Sequence, residues 1–379
     1  MSGRWRTRAL AALAAPLLAT AMVTSSAPAG AAAASCENWT GFLPPSPGDS
    51  DGLSGVSAAS PCNVWAVGFS LNAASEQLLT LAEHWNGATW QVVPTPSPDG
   101  NSNFLRAVSA VSRTHVWAVG ETGSQSLIVR WDGAAWKRVP SPNPGTDIND
   151  LSGVDVFSAT GGWAVGQTSS GSGIMPLILR WNGNNWHQVA ANILRSSELA
   201  SVAAVSPSSA WAVGARNGEK ATLIEHWNGR TWARVASPNP RSKVTEIGLD
   251  GVATTSASSA WAVGTYTTGG HQRTLIVRWT GRAWKQVPSP NPGSDATLLG
   301  VSATSASNAW AVGTYTIGGH NKSLILAWNG RTWRQVPSPS LGTTSELAGV
   351  TAVSASNIWA VGNVNSGGGG SRVLAAHCC

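Results

Sequence analysis

The chain has 379 residues and is 42% hydrophobic, enough to bury a sizeable core, which argues against disorder. Gly 42 and Trp 21 against only 11% charged residues describe tight turns and short strands with few solvated helix faces. The formal net charge of +6 comes without a long Lys/Arg run, so a nucleic-acid partner is not expected.

At the N-terminus, Arg4, Arg6 and Arg8 precede an apolar stretch from Ala9 to about Val23, and a small-residue tract ends at Ala31-Ala32-Ala33-Ala34-Ser35. This pattern predicts a secretory signal peptide over residues 1–34, cut near Ala34. The apolar stretch is short and interrupted by Pro16, so no membrane span is expected. Acylation of Cys36 as a lipoprotein is disfavoured, because Ala33-Ala34-Ser35 fits that signal poorly and lies far from the apolar core. Loss of the three arginines lowers the charge from +6 to +3. The mature chain, residues 35–379, is expected to be extracellular and monomeric on its own. Its cysteines, Cys36, Cys62, Cys378 and Cys379, are an even number in an exported chain and are expected to form disulfides.

From there the chain repeats. Trp-Ala-Val-Gly begins at Trp65, Trp117, Trp163, Trp211, Trp261, Trp310 and Trp359, with spacings of 52, 46, 48, 50, 49 and 49. Each unit reads as four strands. The first carries Leu, then a small residue two positions on, then Val, as in Leu53-Ser54-Gly55-Val56 and Leu151-Ser152-Gly153-Val154. The second is Trp-Ala-Val-Gly, followed by a polar loop. The third is aliphatic, as in Leu127-Ile128-Val129-Arg130-Trp131. Asn-Gly then predicts a type I′ hairpin, and the fourth strand opens on another Trp and stops at Pro-Ser-Pro. Four short antiparallel strands per unit of about 49 residues predict an all-β fold, a seven-bladed β-propeller. The small residues Gly55, Ala107, Gly153, Ser201, Gly251, Gly300 and Gly349 share one position of the first strand, which suits seven inner strands converging on an axis.

Val64-Trp65-Ala66-Val67-Gly68 and Trp85-Asn86-Gly87-Ala88-Thr89-Trp90 resemble the kelch repeat of the galactose-oxidase-type propeller, with one Gly for the kelch pair and Trp for its Tyr. The likeness runs through essentially the whole mature chain. Gly229-Arg230-Thr231-Trp232 and Gly330-Arg331-Thr332-Trp333 also resemble the end of the Asp-box of sialidase-like propellers, but Trp227 and Trp328 replace its Asp. The resemblance implies a secreted propeller with its function on one face.

Seven second strands accompany only six Trp-turn-Trp hairpins. In the last unit Val373 to His377 matches a third strand, and the missing fourth strand is Trp39–Leu43, followed by Pro44-Pro45-Ser46-Pro47. The N-terminal segment is therefore expected to complete the last blade and remove two open sheet edges. All four cysteines should cluster at this seam. Cys36 should join Cys378 or Cys379, with Cys62 taking the other, because a bond between neighbours is strained.

The loops after the second and fourth strands are expected to be long and variable and to share a face, the candidate binding face. No catalytic set stands out. Tyr266 and Tyr315 are the only tyrosines, no arginine triad accompanies them, and the seven histidines lack metal-ligand spacing, so neither a cofactor nor a metal is expected. The tryptophans recur at fixed strand positions, which suits inter-sheet core better than sugar platforms. The candidate ligand site is the duplicated segment Tyr266 to Arg273 and Tyr315 to Lys322, whose Tyr266, His271, Arg273, Tyr315, His320 and Lys322 suit hydroxyl-rich or carboxylate ligands. The reading is a non-catalytic recognition module for an extracellular glycan or protein, on its own or as the targeting subunit of an assembly. The rival is a sialidase- or glycosidase-like enzyme. Two carboxylates in one pocket would favour the rival, and an aromatic-rimmed face would favour binding.

Overall fold

The computed structural model describes residues 36–379 except 99, 101, 172, 191–194, 217, 219, 241 and 242, so the expected signal peptide lies outside the described residues. The strands form seven four-stranded antiparallel sheets, each running in sequence order from its first to its fourth strand, except in the last. Blade 1 comprises Ser50–Ser60, Asn63–Asn72, Gln77–Trp85 and Trp90–Val92. Blade 7 comprises Thr344–Ser354, Asn357–Asn365 and Arg372–Cys378, and its fourth strand is the N-terminal Thr40–Phe42. Thr40, Gly41 and Phe42 pair with His377, Ala376 and Ala375. The seven-bladed fold and its closure are as expected.

First strands of successive blades touch around the axis, and the small-residue position is where they meet. A Cβ on Gly55 would lie 3.0 Å from Ala107 Cα, one on Gly300 3.4 Å from Gly349 Cα, and one on Gly349 3.2 Å from Gly55 Cα. Each first strand also bulges between its Leu and this residue. The bulge pushes a carbonyl toward the Gly of Trp-Ala-Val-Gly, where any Cβ would sit 1.9–2.2 Å from that oxygen. Only glycine fits, which accounts for the motif ending as it does in every blade. Side chains two residues beyond the small position tie some neighbours together. Ser57, Ser109 and Ser302 accept from Ala110, Val156 and Ala352 N–H at 3.0 Å, and Asp155 accepts from Ala204 N–H at 2.7 Å.

The tryptophans fill the joints between blades. Trp65 lies against Trp131 and Trp136 of the next blade, at ring-centre distances of 5.0 and 5.2 Å, and Trp359 lies against Trp85 and Trp90 at 5.0 and 5.4 Å. Beside the motif Trp, on the same face of the sheet, the third strand supplies a flat or cationic partner. His84, His226 and His377 stack on Trp65, Trp211 and Trp359, while Arg130, Arg180 and Arg278 lie over Trp117, Trp163 and Trp261. Three of the scattered histidines are thus half-buried partners of the motif Trp, and burial lowers the pKa of each.

Blade 7 lacks the Trp pair. Cys378 takes the register position of its first Trp, opposite Ile358 as Trp85 is opposite Val64, and bonds to Cys36. The bridge fills, against Trp310, the space that the other joints give to indoles. Cys62 and Cys379 are free and exposed, so the expected second bridge is not formed. Cys62 instead packs beside Gly87 of its own blade, held there by the hairpin that blade 7 lacks.

Two turn readings need correcting. The Asn-Gly hairpin is a four-residue turn with positive φ at glycine alone. Asn86 serves through its side chain, accepting from Ala88 and Thr89 N–H at 2.9 and 3.0 Å, as Asn182, Asn228 and Asn329 do in their turns. Positive φ at both central residues occurs at Gly269-Gly270 and Gly318-Gly319, between second and third strands. There the expected polar loop is a tight hairpin, because Thr/Tyr-rich segments extend the strands to within two residues of each other. The proline exits do more than stop a strand: third-strand hydroxyls hold them, as in Thr80–Thr95 at 2.8 Å, Ser126–Ser141 at 2.7 Å and Thr274–Ser289 at 2.6 Å.

Candidate binding face

Strand alternation places the turns between first and second strands beside those between third and fourth. Indole N–H groups of Trp131, Trp181, Trp227, Trp279 and Trp328 donate to carbonyls in those first turns. This face is short and stapled. The opposite face carries the remaining connections and the mouth of the axis.

A cavity of about 330 Å³ opens there across blades 4 to 7. It is lined chiefly by residues flanking the first-strand Leu and by those just past Trp-Ala-Val-Gly. Glu198, Glu246, Asp250 and Glu346 bring four carboxylates to it, with Thr265, Thr314 and Tyr266 between them. Burial pushes Glu346 above its ordinary value. Thr267 donates to Glu246 at 3.4 Å. A second cavity of about 810 Å³ lies against the blade 3 hairpin, lined by Ile174, Arg195, Ser196 and Gly218. Glu198 and Ala215 line both, so the two are contiguous. Ile174 and Met175 stand exposed on that hairpin. Ser196 holds a left-handed backbone, φ 60°, and donates its N–H to Ile174 O at 2.8 Å.

Among the described lining residues Arg195 is the one cation against four carboxylates, on a chain whose net charge is +6. No described tryptophan lines either cavity, and Tyr266 is the one aromatic. No group of three or more His, Cys, Asp or Glu suited to a metal occurs among the described residues.

The six sequence-predicted ligand residues are not brought together. Tyr266 and Tyr315 each pack against the core of a blade joint, and of the two Tyr266 also lines the axial cavity. Arg273 donates to Ser294 O at 2.7 Å and Lys322 to Thr343 O at 3.1 Å, each tying its hairpin to the loop of the next blade. His271 faces Asp295 at 3.6 Å, and His320 is exposed at its hairpin tip. Backbone donation from Gln272, followed by other hydrogen bonds, holds Asp295 below the usual carboxylate range. The duplication therefore builds one cavity-lining tyrosine and a set of inter-blade ties. The axial carboxylates escaped the sequence reading, although Glu198, Asp250 and Glu346 each stand beside a first-strand Leu, a signal that alternation would have exposed.

No family model matches the chain, and no curated protein matches it. Solved propellers do. YCF48 bound to a D1 peptide superposes with a TM-score of 0.56 at 16% identity, over 90% of this chain and 97% of that one. YCF48 from Cyanidioschyzon merolae gives 0.56 at 16%, over 89% and 98%. A GH74 xyloglucanase from Xanthomonas campestris gives 0.56 at 14%, over 87% of this chain and 54% of that chain. At these identities the likeness is one of fold.

Proposed function

We propose that the chain is a secreted, non-catalytic recognition module, kelch-like in its repeats, whose long-loop face takes a protein partner, with a cationic segment of that partner entering the axial cavity. The observation that carries this reading is charge segregation: four carboxylates line a cavity on a chain of net positive charge. Such a mouth attracts Lys or Arg side chains and repels acidic ones. The contiguous cavity with Ile174 beside it offers apolar contact to flanking residues. A glycan platform has less support, because the tryptophans are spent on the blade joints. The disulfide fits an exported chain, and no helix of the described residues is long and apolar enough to cross a membrane. The test is pull-down from culture medium by residues 35–379. Partners should be lost with Glu198→Gln, Asp250→Asn and Glu346→Gln combined, and equal capture by that variant would refute the reading.

A second reading has one observation in its favour. Four carboxylates in one cavity, with Glu346 raised by burial, are what a glycosidase acid–base pair needs. Hydrolysis of a polysaccharide panel, abolished by Glu346→Gln, would establish that reading in place of the first.

A further inference from the structure

Two residues before the end of the third strand, five blades carry an aliphatic residue: Val129, Leu179, Val277, Leu326 and Ala376. Blades 1 and 4 carry Glu83 and Glu225 there. Glu83 pairs with Ala66 and Val92 and lies on the same face of its strand as Leu81 and Trp85. That face packs against Trp359, Val361, Val373 and Ala375 of blade 7. Glu83 is fully buried, and neither carboxyl oxygen has a hydrogen-bond partner.

The charges around it make ionisation harder still. Blade 1, residues 50–92, contains no Lys or Arg. Its own first strand adds the buried Asp51, a second acid. From blade 7 the titratable groups on the facing side are His377, stacked on Trp359 and kept toward its neutral form by burial, and Glu346, a further acid, whose strand partner Asn363 shares the face of Trp359 and Val361. Arg372 is the single Lys or Arg of blade 7; it is exposed, and strand alternation turns it away from the face that carries Val373 and Ala375. An ionised carboxylate in this joint would be buried without a counter-charge, which is far costlier than the neutral acid. Glu225 differs, since Arg234 stands directly across from it in the neighbouring strand and Arg180 lies over Trp163 and Trp227 in the joint it faces.

We propose that the joint between blades 7 and 1 is a proton-dependent contact, closed while Glu83 is the neutral acid and loosened when that carboxyl ionises. Burial, with Asp51 adding to it, pushes Glu83 from 4.5 up to about 8. Glu225, raised by burial and opposed by Arg234, reaches about 7. The folded state therefore holds a proton that the unfolded chain has released. The contribution of Glu83 is fully present below about 4.5 and is lost as pH rises toward 8.

Urea unfolding of the oxidised chain from pH 6 to 9, followed by tryptophan fluorescence, tests this with Glu83→Gln and Glu83→Leu. The wild-type unfolding constant, divided by that of either variant, should rise roughly tenfold per pH unit and level off above pH ~8. Parallel profiles for the wild type and both variants would overturn the proposal. Hydrogen exchange at a single pH of ~8.5 locates the effect, since wild type and variant then share the intrinsic rate at every amide away from residue 83. Relative to Glu83→Gln, the wild type should exchange faster in Gln77–Trp85 and Arg372–Cys378 but not in blade 4. Uniform acceleration, or none, would overturn it as well.

Discussion

Reducing the buried Cys36–Cys378 bridge, or replacing both cysteines by Ala, should destabilise the protein markedly. The bond joins residues 342 apart, so it closes almost the whole described chain into one loop. In the loop-entropy model a closure of that length restricts the unfolded chain by about 5–6 kcal/mol. The N-terminal segment is otherwise held by three residue pairs, an ion pair from Glu37 to Arg334, Ser46 accepting from Val373 N–H at 3.1 Å, and Trp39 and Phe42 packing against blade core. With an unfolding entropy of roughly 2.1 cal/mol/K per residue, the expected fall in Tm is about 8 °C. Differential scanning calorimetry with and without reductant reads it directly. Identical melting curves, with alkylation showing that the thiols were released, would refute the assignment of closure to this bond.

Gly166→Ala places a Cβ 2.2 Å from Asp150 O and should cost about 3 kcal/mol or more in urea titration, whereas Gly171→Ala, with open space around it, should be near neutral. Trp310→Ala should cost about 3–5 kcal/mol and expose the bridge to reductant, measured as a faster rate of thiol release. Tyr266→Ala and Tyr315→Ala should both lower Tm, since each ring packs against a blade core, but Tyr266→Ala alone should weaken partner binding; the reverse pattern of binding would move the site away from the axis.

The repeat made the architecture legible. Trp-Ala-Val-Gly recurs because three separate demands converge on it: an indole for the joint, two residues for the two faces of a buried strand, and a glycine for the bulge opposite. The surplus of seven second strands over six hairpins disclosed the N-terminal closure in the same way, and with it the bond from Cys36. The site was less legible because its residues sit inside strands that read as core. Glu198 and Glu346 immediately precede Leu199 and Leu347 and differ from them only in which way the pleat turns them. Arg273 and Lys322 show another side of this. Their polarity suggested a ligand, but hairpin tips on this face also have carbonyls of the next blade within reach, and the cations satisfy those. Glu83 and Glu225 were visible as single acids in Leu-Ala-Glu-His-Trp and Leu-Ile-Glu-His-Trp, yet only the packed blades show one facing a joint without a cation.

The account rests on a cationic partner meeting the axial carboxylates. Fluorescence anisotropy with a labelled decapeptide of alternating arginine and leucine, set against its glutamate–leucine counterpart, tests this most directly. The mature chain should bind the basic peptide alone, more weakly as salt rises, and Glu198→Gln combined with Asp250→Asn and Glu346→Gln should reduce affinity at least tenfold, about 1.4 kcal/mol. Equal binding of both peptides, or of the basic peptide by wild type and variant alike, would contradict it.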